Sequence, residues 1–238
     1  MKMRPEVLFP LFAPATRIKG VGARLAPMVE RIAGGGRVID LLWHLPHAVI
    51  DRRLLPAIAA AAPGKAATLR LSVVAHAPPA GPRSPYRVHM RDESGQALDL
   101  VFFNPHRDYL TRVLPVGATR LVSGTVDYFA GQPQIAHPDY ILAPEQASAM
   151  PAFEPVYPLT QGLSNKRLRQ WIATALGMAP ELAEWIDAGV LAREGWPAWR
   201  AALAQAHCPL GAQAADPGQP ARRRLAYDEL FANQLALA

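Results

Sequence analysis

The 238-residue chain carries a formal net charge of +6, and because half of its residues are hydrophobic and only 18% are charged, it is predicted to be globular and not a disordered tail. No uninterrupted apolar run reaches the roughly 18 residues of a membrane span, and the N-terminal residues lack the apolar core and cleavage site of a signal peptide. The single cysteine, Cys208, cannot form an internal disulfide, so we expect a reducing, cytoplasmic location.

The positive charge is concentrated at the start of the chain. Residues 1–63 hold nine lysines and arginines against four acidic residues, whereas residues 64–144 carry a net charge of +2 and residues 145–238 a net charge of −1. A basic region attracts a phosphate backbone, although it is also a common way for a protein to stay soluble. Charge alone therefore leaves nucleic-acid binding open. His44 and His47 lie close together, but no second pair with the spacing of metal ligands accompanies them, so no metal site is predicted.

The N-terminal region, residues 1–63, is predicted to be helical with a helix-hairpin-helix-like turn. Ile18-Lys19-Gly20-Val21-Gly22 precedes an apolar-periodic segment that predicts a helix. Glycines in such a turn let the backbone bend tightly and aim N–H groups at a phosphate, helped by the positive end of the following helix. The candidate DNA contacts here are Lys19, Gly20, Gly22 and Arg24. The alternative is a glycine turn that only connects two helices.

A short apolar helix and a polar corner follow. Residues 38–45 predict a helix that Pro46 stops. The next turn, Asp51-Arg52-Arg53, has two interpretations: it binds phosphate, or Asp51 holds an arginine and locks the corner. Residues 55–66 are rich in alanine and proline and are interpreted as the linker into the next domain.

Residues 64–144 form the second predicted domain, a small β-barrel. Apolar and polar side chains alternate with the period of half-buried strands over residues 69–76, 86–91, 98–103, 120–129 and 132–137. Gly95 lies in a turn after the second strand, Ala130-Gly131 forms a hairpin turn, and residues 106–113 predict a helix between the third and fourth strands. Four or five strands with this helix is the layout of an OB-fold, which commonly binds single-stranded nucleic acid. The predicted fold class is α+β, a small OB-fold-like β-barrel flanked by N-terminal and C-terminal helical segments.

One aromatic residue of this barrel is predicted to face outward. The inward face of the third strand ends at Phe102, which leaves Phe103 on the opposite face. Burial beneath the neighbouring helix is the alternative for this ring. Arg87 and Arg91 lie on the polar face of the second strand and are further candidate DNA contacts.

The last two predicted regions are helical. In residues 145–209, Ser164 caps a helix, and further helical segments are predicted around residues 182–186 and 196–206. Residues 210–238 are a Gly/Pro-rich loop followed by the start of a helix. The chain stops inside this helix, so we expect the helix to lead into a further domain.

A series of short motifs resembles the N-terminal part of the RecG family of bacterial ATP-dependent DNA helicases, over nearly the whole chain. The motifs occur in the family's order, and their number makes the resemblance specific. They are Ile18-Lys19-Gly20-Val21-Gly22, Asp40-Leu41-Leu42-Trp43-His44-Leu45-Pro46 with Asp51-Arg52, Phe102-Phe103-Asn104, His137-Pro138-Asp139-Tyr140, Pro155-Val156-Tyr157-Pro158, Gly162-Leu163-Ser164, and Ala221-Arg222-Arg223-Arg224-Leu225 with Asp228-Glu229-Leu230.

The resemblance implies a wedge module, an OB-fold that splits the duplex arms at a replication fork or Holliday junction in DNA repair and recombination. In that family an aromatic ring stacks on the base pair at the branch point, and the matching position is Phe103, next to Asn104. A second aromatic follows in many members. The nearest candidate for it is Tyr109, whose spacing from Phe103 is longer than the family pattern.

The resemblance also implies what this fragment lacks. The two helicase domains of the family, which use ATP and Mg²⁺, are missing, and no Gly-x-x-x-x-Gly-Lys-Ser/Thr phosphate loop occurs in the sequence. We therefore expect no cofactor in the fragment, and DNA binding without ATP turnover. The expected partners are branched DNA and the helicase domains themselves, with no membrane association and a monomeric state. The alternatives are an OB-fold module that binds RNA and one that binds protein.

Overall fold

The computed structural model describes residues 5–81, 84–103 and 105–237. The helices are α1 (Phe9–Phe12), α2 (Ala26–Ala33), α3 (Val38–Trp43), α4 (Arg107–Val113), α5 (Asn165–Gly177), α6 (Ala188–Glu194), α7 (Trp199–His207) and α8 (Pro220–Leu237). The strands are β1 (Ala48–Asp51), β2 (Lys65–Ala77), β3 (Tyr86–Arg91), β4 (Ala97–Phe102), β5 (Thr119–Phe129), β6 (Gln132–Ala136), β7 (Tyr140–Leu142) and β8 (Phe153–Val156). Within the described ranges, no helix is long and apolar enough to cross a membrane.

The chain divides into two compact units. One, which we call the helical unit, comprises the residues up to Ile50 together with those from Phe153 onward. The other, the sheet unit, is Asp51–Ala152. Residues 51–63, which were predicted to be the last part of the N-terminal region, thus belong to the sheet unit. The small strands β1 and β8 pair with each other as a separate two-stranded sheet.

The sheet unit is built on one curled six-stranded sheet. Strands β2, β3 and β4 pair antiparallel in sequence order, β4 pairs with β6 in parallel, and β6 pairs antiparallel with β5. The long strand β5 also pairs with β2 and with β7. The α+β class and the five predicted strands are confirmed. The expected count of four or five strands was too low, because β7 adds a sixth, and the sheet is not a simple closed barrel.

The alternation of apolar side chains explains why these segments fold as strands around one core. Along β2, Leu69, Leu71 and Val73 are buried while Arg70 and Ser72 between them are exposed. This period-two pattern repeats in the neighbouring strands, so that one face of the sheet is dry. The other buried members of the cluster include Val88, Met90, Leu98, Leu100, Val122, Val126 and Ile135.

The interpretation of residues 55–66 as a linker was wrong. The segment contains a 3₁₀ turn, Ile58–Ala60, and the Ile58 side chain is completely buried in the core of the sheet unit. Its backbone N–H donates to a carboxylate oxygen of Asp92 at 2.9 Å. The same carboxylate accepts hydrogen bonds from Ser94 and Gln96 in the β3–β4 turn. Composition hid this role, since one isoleucine among alanines and prolines produces no periodic signal.

Two predicted turns have the expected backbone. Gly95 lies at φ +86°, a left-handed conformation that only glycine adopts without strain. Ala130 and Gly131 both have positive φ, at +49° and +79°, which is the backbone of a tight two-residue hairpin turn between β5 and β6.

The helical unit packs its helices around an apolar core that includes Val29, Leu41, Leu168, Trp171 and Leu203. Helix α5 begins as predicted, with the Ser164 hydroxyl accepting the Arg167 N–H at 3.4 Å.

A buried polar pair lies within this core. The Tyr157 hydroxyl is 3.0 Å from His207 Nδ1, and His207 Nε2 is 2.9 Å from the Leu42 carbonyl oxygen. Burial raises the pKa of the Tyr157 phenol, so the hydroxyl keeps its proton and donates a hydrogen bond to His207 Nδ1. His207 then donates its Nε2–H to Leu42, and both groups are satisfied only while the imidazole is neutral.

The helix predicted around residues 182–186 is absent from the structure, which leaves residues 179–187 without regular structure. The Glu184 carboxylate accepts the backbone N–H groups of Trp185 and Ile186 at 2.9 and 3.0 Å, and such local side-chain bonds compete with a helix. Glu184 also binds the fully buried Arg224 of α8 at 2.9 Å, with Asp228 on the other side of that guanidinium at 3.0 Å. The next helix, α6, begins instead after Asp187, whose carboxylate caps it.

Candidate nucleic-acid interface

Phe103 follows directly after β4, at the edge of the sheet unit. Its neighbour Phe102 is buried, whereas Phe103 is 55% exposed, as the alternation predicts. The alternative, in which the neighbouring helix covers this ring, is therefore wrong. A large aromatic ring exposed directly after a strand provides a flat face for stacking.

His137 contacts Phe103 through a hydrogen bond and through its ring, and the sequence did not predict this contact. The Phe103 backbone N–H donates to His137 Nε2 at 3.2 Å, and the two rings lie 5.7 Å apart at an angle of 33°. His137 itself has φ +46°, and its own N–H donates to the carbonyl oxygen of Val101 at 2.9 Å. The hydrogen bond to Phe103 requires Nε2 to be unprotonated. The one available signal was the motif His137-Pro138-Asp139-Tyr140, which marked the segment without showing its contact.

Close packing of this segment depends on a glycine in β5. A Cβ atom at Gly124 would come within 2.6 Å of Ile135 Cγ2 and 3.3 Å of the Pro138 Cα. Any side chain there would displace the backbone that carries His137.

Tyr109 lies on α4 and is half exposed, with the Arg112 guanidinium 5.9 Å from the centre of its ring. The end of this helix is held by His76, whose Nε2 donates to the Leu114 carbonyl at 2.7 Å while its Nδ1 accepts the Tyr86 hydroxyl at 2.9 Å. Tyr109 is thus a second surface aromatic of the sheet unit. Asn104 lies outside the described residues.

The two arginines predicted on β3 differ in their surroundings. Arg87 lies 3.3 Å from Asp99 and 3.5 Å from Gln134, so its charge is compensated and its guanidinium is oriented. Asp99 also accepts from His89 at 2.7 Å. Arg91 is exposed at the end of the same strand, where its guanidinium is accessible to a phosphate.

The glycine turn of the helical unit is a tight turn that precedes α2. The Val21 N–H donates to the Ile18 carbonyl at 3.0 Å, and Gly20 takes φ +92° inside this turn. A Cβ at Gly20 would also lie 3.2 Å from the Trp171 indole nitrogen. The positive φ and this close contact both favour glycine at the position. The candidate contacts Lys19, Gly20, Gly22 and Arg24 are all exposed. Their contact with DNA stays a prediction.

The Asp51-Arg52-Arg53 corner has a structural role, as the second interpretation expected. Asp51 binds Arg53 through both carboxylate oxygens, and this hydrogen bonding lowers the pKa of Asp51. Arg52 is buried, donates to Ser123 at 2.9 Å and to Asp139 at 3.0 Å, and lies 5.0 Å from the centre of the Tyr140 ring. Two motifs that are far apart in sequence thus meet in one polar cluster.

The curled sheet, with parallel pairing of β4 and β6 and a helix between β4 and β5, defines an OB-fold-related α+β protein that presents aromatic rings at its surface. The chain belongs to the RecG wedge domain family, which matches residues 15–179.

Several curated relatives are ATP-dependent DNA helicases named RecG. The protein from Acidithiobacillus ferridurans is 28% identical over 233 residues, covering 95% of this chain and 32% of the relative. The Haemophilus influenzae protein is 28% identical, and the Escherichia coli K12 protein 30% identical, each over 94% of this chain and 33% of the relative. The chain therefore spans about a third of the length of these relatives.

A solved structure described as RecG bound to a three-way DNA junction has the same fold. It matches 99% of this chain and 31% of the solved chain, with a TM-score of 0.74 and 25% sequence identity.

Proposed function

We propose that this chain binds branched DNA, at replication forks and Holliday junctions, as the wedge module of a RecG-type helicase that acts in DNA repair and recombination. The observation that carries the proposal is Phe103, a ring that is 55% exposed and is held at the end of β4 by His137. Membership of the wedge domain family and the likeness to a protein solved on a three-way junction support it.

An exposed ring can distinguish a branch point from a linear duplex. Unstacking a step of an intact duplex costs a few kcal/mol, which is comparable to what one aromatic contact contributes. At a fork the stacking is already interrupted, so the same contact is a net gain. Phosphate contacts, in contrast, position a protein on any duplex and say little about branching. We assign that second role to Lys19, Arg24 and Arg91, which are all exposed.

ATP hydrolysis would belong to a longer protein. The sequence contains no Gly-x-x-x-x-Gly-Lys-Ser/Thr loop, so no lysine is placed to reach the β- and γ-phosphates and no hydroxyl to hold Mg²⁺. The chain alone should therefore bind DNA without turnover. We further propose that it is a monomer and acts in the cytoplasm together with helicase domains.

Replacing Phe103 with alanine should weaken fork binding by about 1–3 kcal/mol and leave linear duplex binding nearly unchanged. The measurement is the fork-to-duplex affinity ratio at one fixed salt concentration, because phosphate contacts are strongly salt-dependent. Val116→Ala is the matched control, since this side chain is also apolar and exposed. Lys19→Ala and Arg91→Ala should instead lower both affinities alike.

Two results would contradict the wedge role of Phe103. One is an equal loss of fork and duplex affinity in Phe103→Ala, and the other is a lower unfolding temperature for this variant, which would make the ring part of the core. Preference for single-stranded RNA over forks would favour the RNA-binding alternative. The absence of salt-dependent DNA binding would favour the protein-binding alternative.

His137→Ala should lower fork affinity by about 1 kcal/mol, less than the loss of the ring itself, because the Phe103 N–H loses its acceptor and the ring its neighbour. The double variant with Phe103→Ala provides the decisive measurement. If His137 acts by positioning the ring, its removal should cost nothing further once the ring is gone. Additive losses would show that His137 acts independently of Phe103.

A further inference from the structure

A second pair of exposed aromatics lies at the end of the β5–β6 hairpin. Tyr128 is 46% exposed and Phe129 is 62% exposed, and they directly precede the tight turn at Ala130-Gly131. Successive residues of a strand face opposite sides of the sheet, so each ring offers a flat face to a ligand on its own side.

Phe129 has a cationic neighbour on the outer face of the sheet. The Arg87 guanidinium lies 6.0 Å from the centre of the Phe129 ring. Asp99 and Gln134 orient that guanidinium at 3.3 and 3.5 Å. Because Asp99 compensates its charge, Arg87 is better suited to stacking beside the ring than to attracting a phosphate. Exposed aromatic and guanidinium planes together are the elements on which unpaired bases stack.

The strand register relates this hairpin to Phe103. Strands β4 and β6 run parallel, with Asp99 opposite Gln134, and Phe103 follows the same alternation as Asp99. Phe129 pairs with Gln132 at the start of β6, while Phe103 contacts His137 just past its end. Five residues of strand separate these points, which is about 16 Å. At the 3.4 Å per nucleotide of a strand within a duplex, that span corresponds to about five nucleotides, and an extended single strand covers it with fewer.

We propose that Phe129, with Arg87 beside it, stacks a base of a single-stranded DNA arm that leaves the branch point at Phe103. The inference rests on the proposed function, because it takes Phe103 as the branch point. It adds to that function a second contact, which an arm too short to cover this span cannot reach.

The test compares forks that differ only in one single-stranded arm, with no arm, an arm of about two nucleotides and an arm of about ten. The 238-residue chain should bind the longest-armed fork about tenfold more tightly than the armless one, with little gain from the short arm. Phe129→Ala should abolish this gain and leave armless-fork binding unchanged. Phe129→Trp, which keeps a stacking face, should retain it, and Val116→Ala should behave as the unmodified chain.

The outcomes distinguish a failure of the hairpin inference from a failure of the proposed function. If the chain prefers armless forks over duplex but gains nothing from the long arm, the hairpin inference is overturned and the proposed function stands. If it shows no fork preference at all, the proposed function fails, and a free oligonucleotide of about ten nucleotides then decides on the hairpin. Phe129→Ala should weaken binding of that oligonucleotide about tenfold, and an unchanged affinity would overturn the inference.

Discussion

Lowering the pH from neutrality to about 4 should reduce the free energy of unfolding of the helical unit by about 3 kcal/mol through His207 alone. Burial lowers the pKa of His207 from its ordinary 6.5 to about 4, and the positive charges of Arg222 and His44 act in the same direction. The hydrogen bond to the Leu42 carbonyl opposes the shift without reversing it. The imidazole therefore stays neutral in the folded chain at a pH where it is protonated in the unfolded chain.

The sign follows from proton uptake on unfolding. Above pH 6.5 neither state binds a proton at His207, so stability does not depend on pH through this group. Between pH 6.5 and about 4 the unfolded chain binds one proton more, and stability falls by about 1.4 kcal/mol per pH unit. Below about 4 both states are protonated. Asp92 acts in a lower window: burial opposes its ionisation, but hydrogen bonds from Ser94, Ile58 and Gln96 lower its pKa below the ordinary 3.8.

Tryptophan fluorescence isolates the relevant unit. All five tryptophans of the sequence lie outside Asp51–Ala152, so their signal during urea unfolding reports on the helical unit. His207→Gln, which has no charge to gain but keeps a donor and an acceptor, should flatten the dependence between pH 6.5 and 4. His47→Gln is the control at an exposed histidine and should leave the slope intact. Parallel profiles for the unmodified chain and His207→Gln would show that another group controls the acid response.

The sheet could be predicted because its signals are local. Alternating side chains, Gly95 and the Ala130-Gly131 turn specify strands and hairpins within a few residues, and the structure places all of them as expected. Strand β7 was missed because its three residues, Tyr140–Leu142, are too short to show a period. The helix predicted around residues 182–186 was wrong because Glu184 satisfies the local backbone, and no helix periodicity reveals that competition.

The candidate site was predictable only in part, for a similar reason. The exposure of Phe103 follows from strand alternation, because Phe103 directly follows the buried Phe102 and faces the opposite side. The contact with His137 and the pairing of Arg87 with Asp99 depend on which strands become neighbours, and a single sequence does not specify that adjacency. Phe129 was counted only as the last residue of a strand, since nothing in its local pattern indicates that the ring remains uncovered.

Replacing Ile58 with alanine should lower the free energy of unfolding of the sheet unit by about 2–5 kcal/mol. The side chain is completely buried in the same cluster as Leu69 and Val122, so the substitution removes apolar contacts and leaves a cavity. The residues beside it, Ala57 and Ala59, have no larger side chain that could fill the space. We therefore expect a cost toward the upper part of this range.

The matched control is Leu54→Ala in the same stretch of chain, since Leu54 is 50% exposed and its loss should cost less than about 1 kcal/mol. Hydrogen exchange of the β2 and β5 amides provides the measurement, because these strands pair along eight residues within the sheet unit. Equal, small effects of both substitutions would show that residues 55–66 are a linker after all. A large effect of Ile58→Ala alone would show that the sheet needs this residue in its core. The surface that carries Phe103 would then depend on a segment that composition predicts to be a connection.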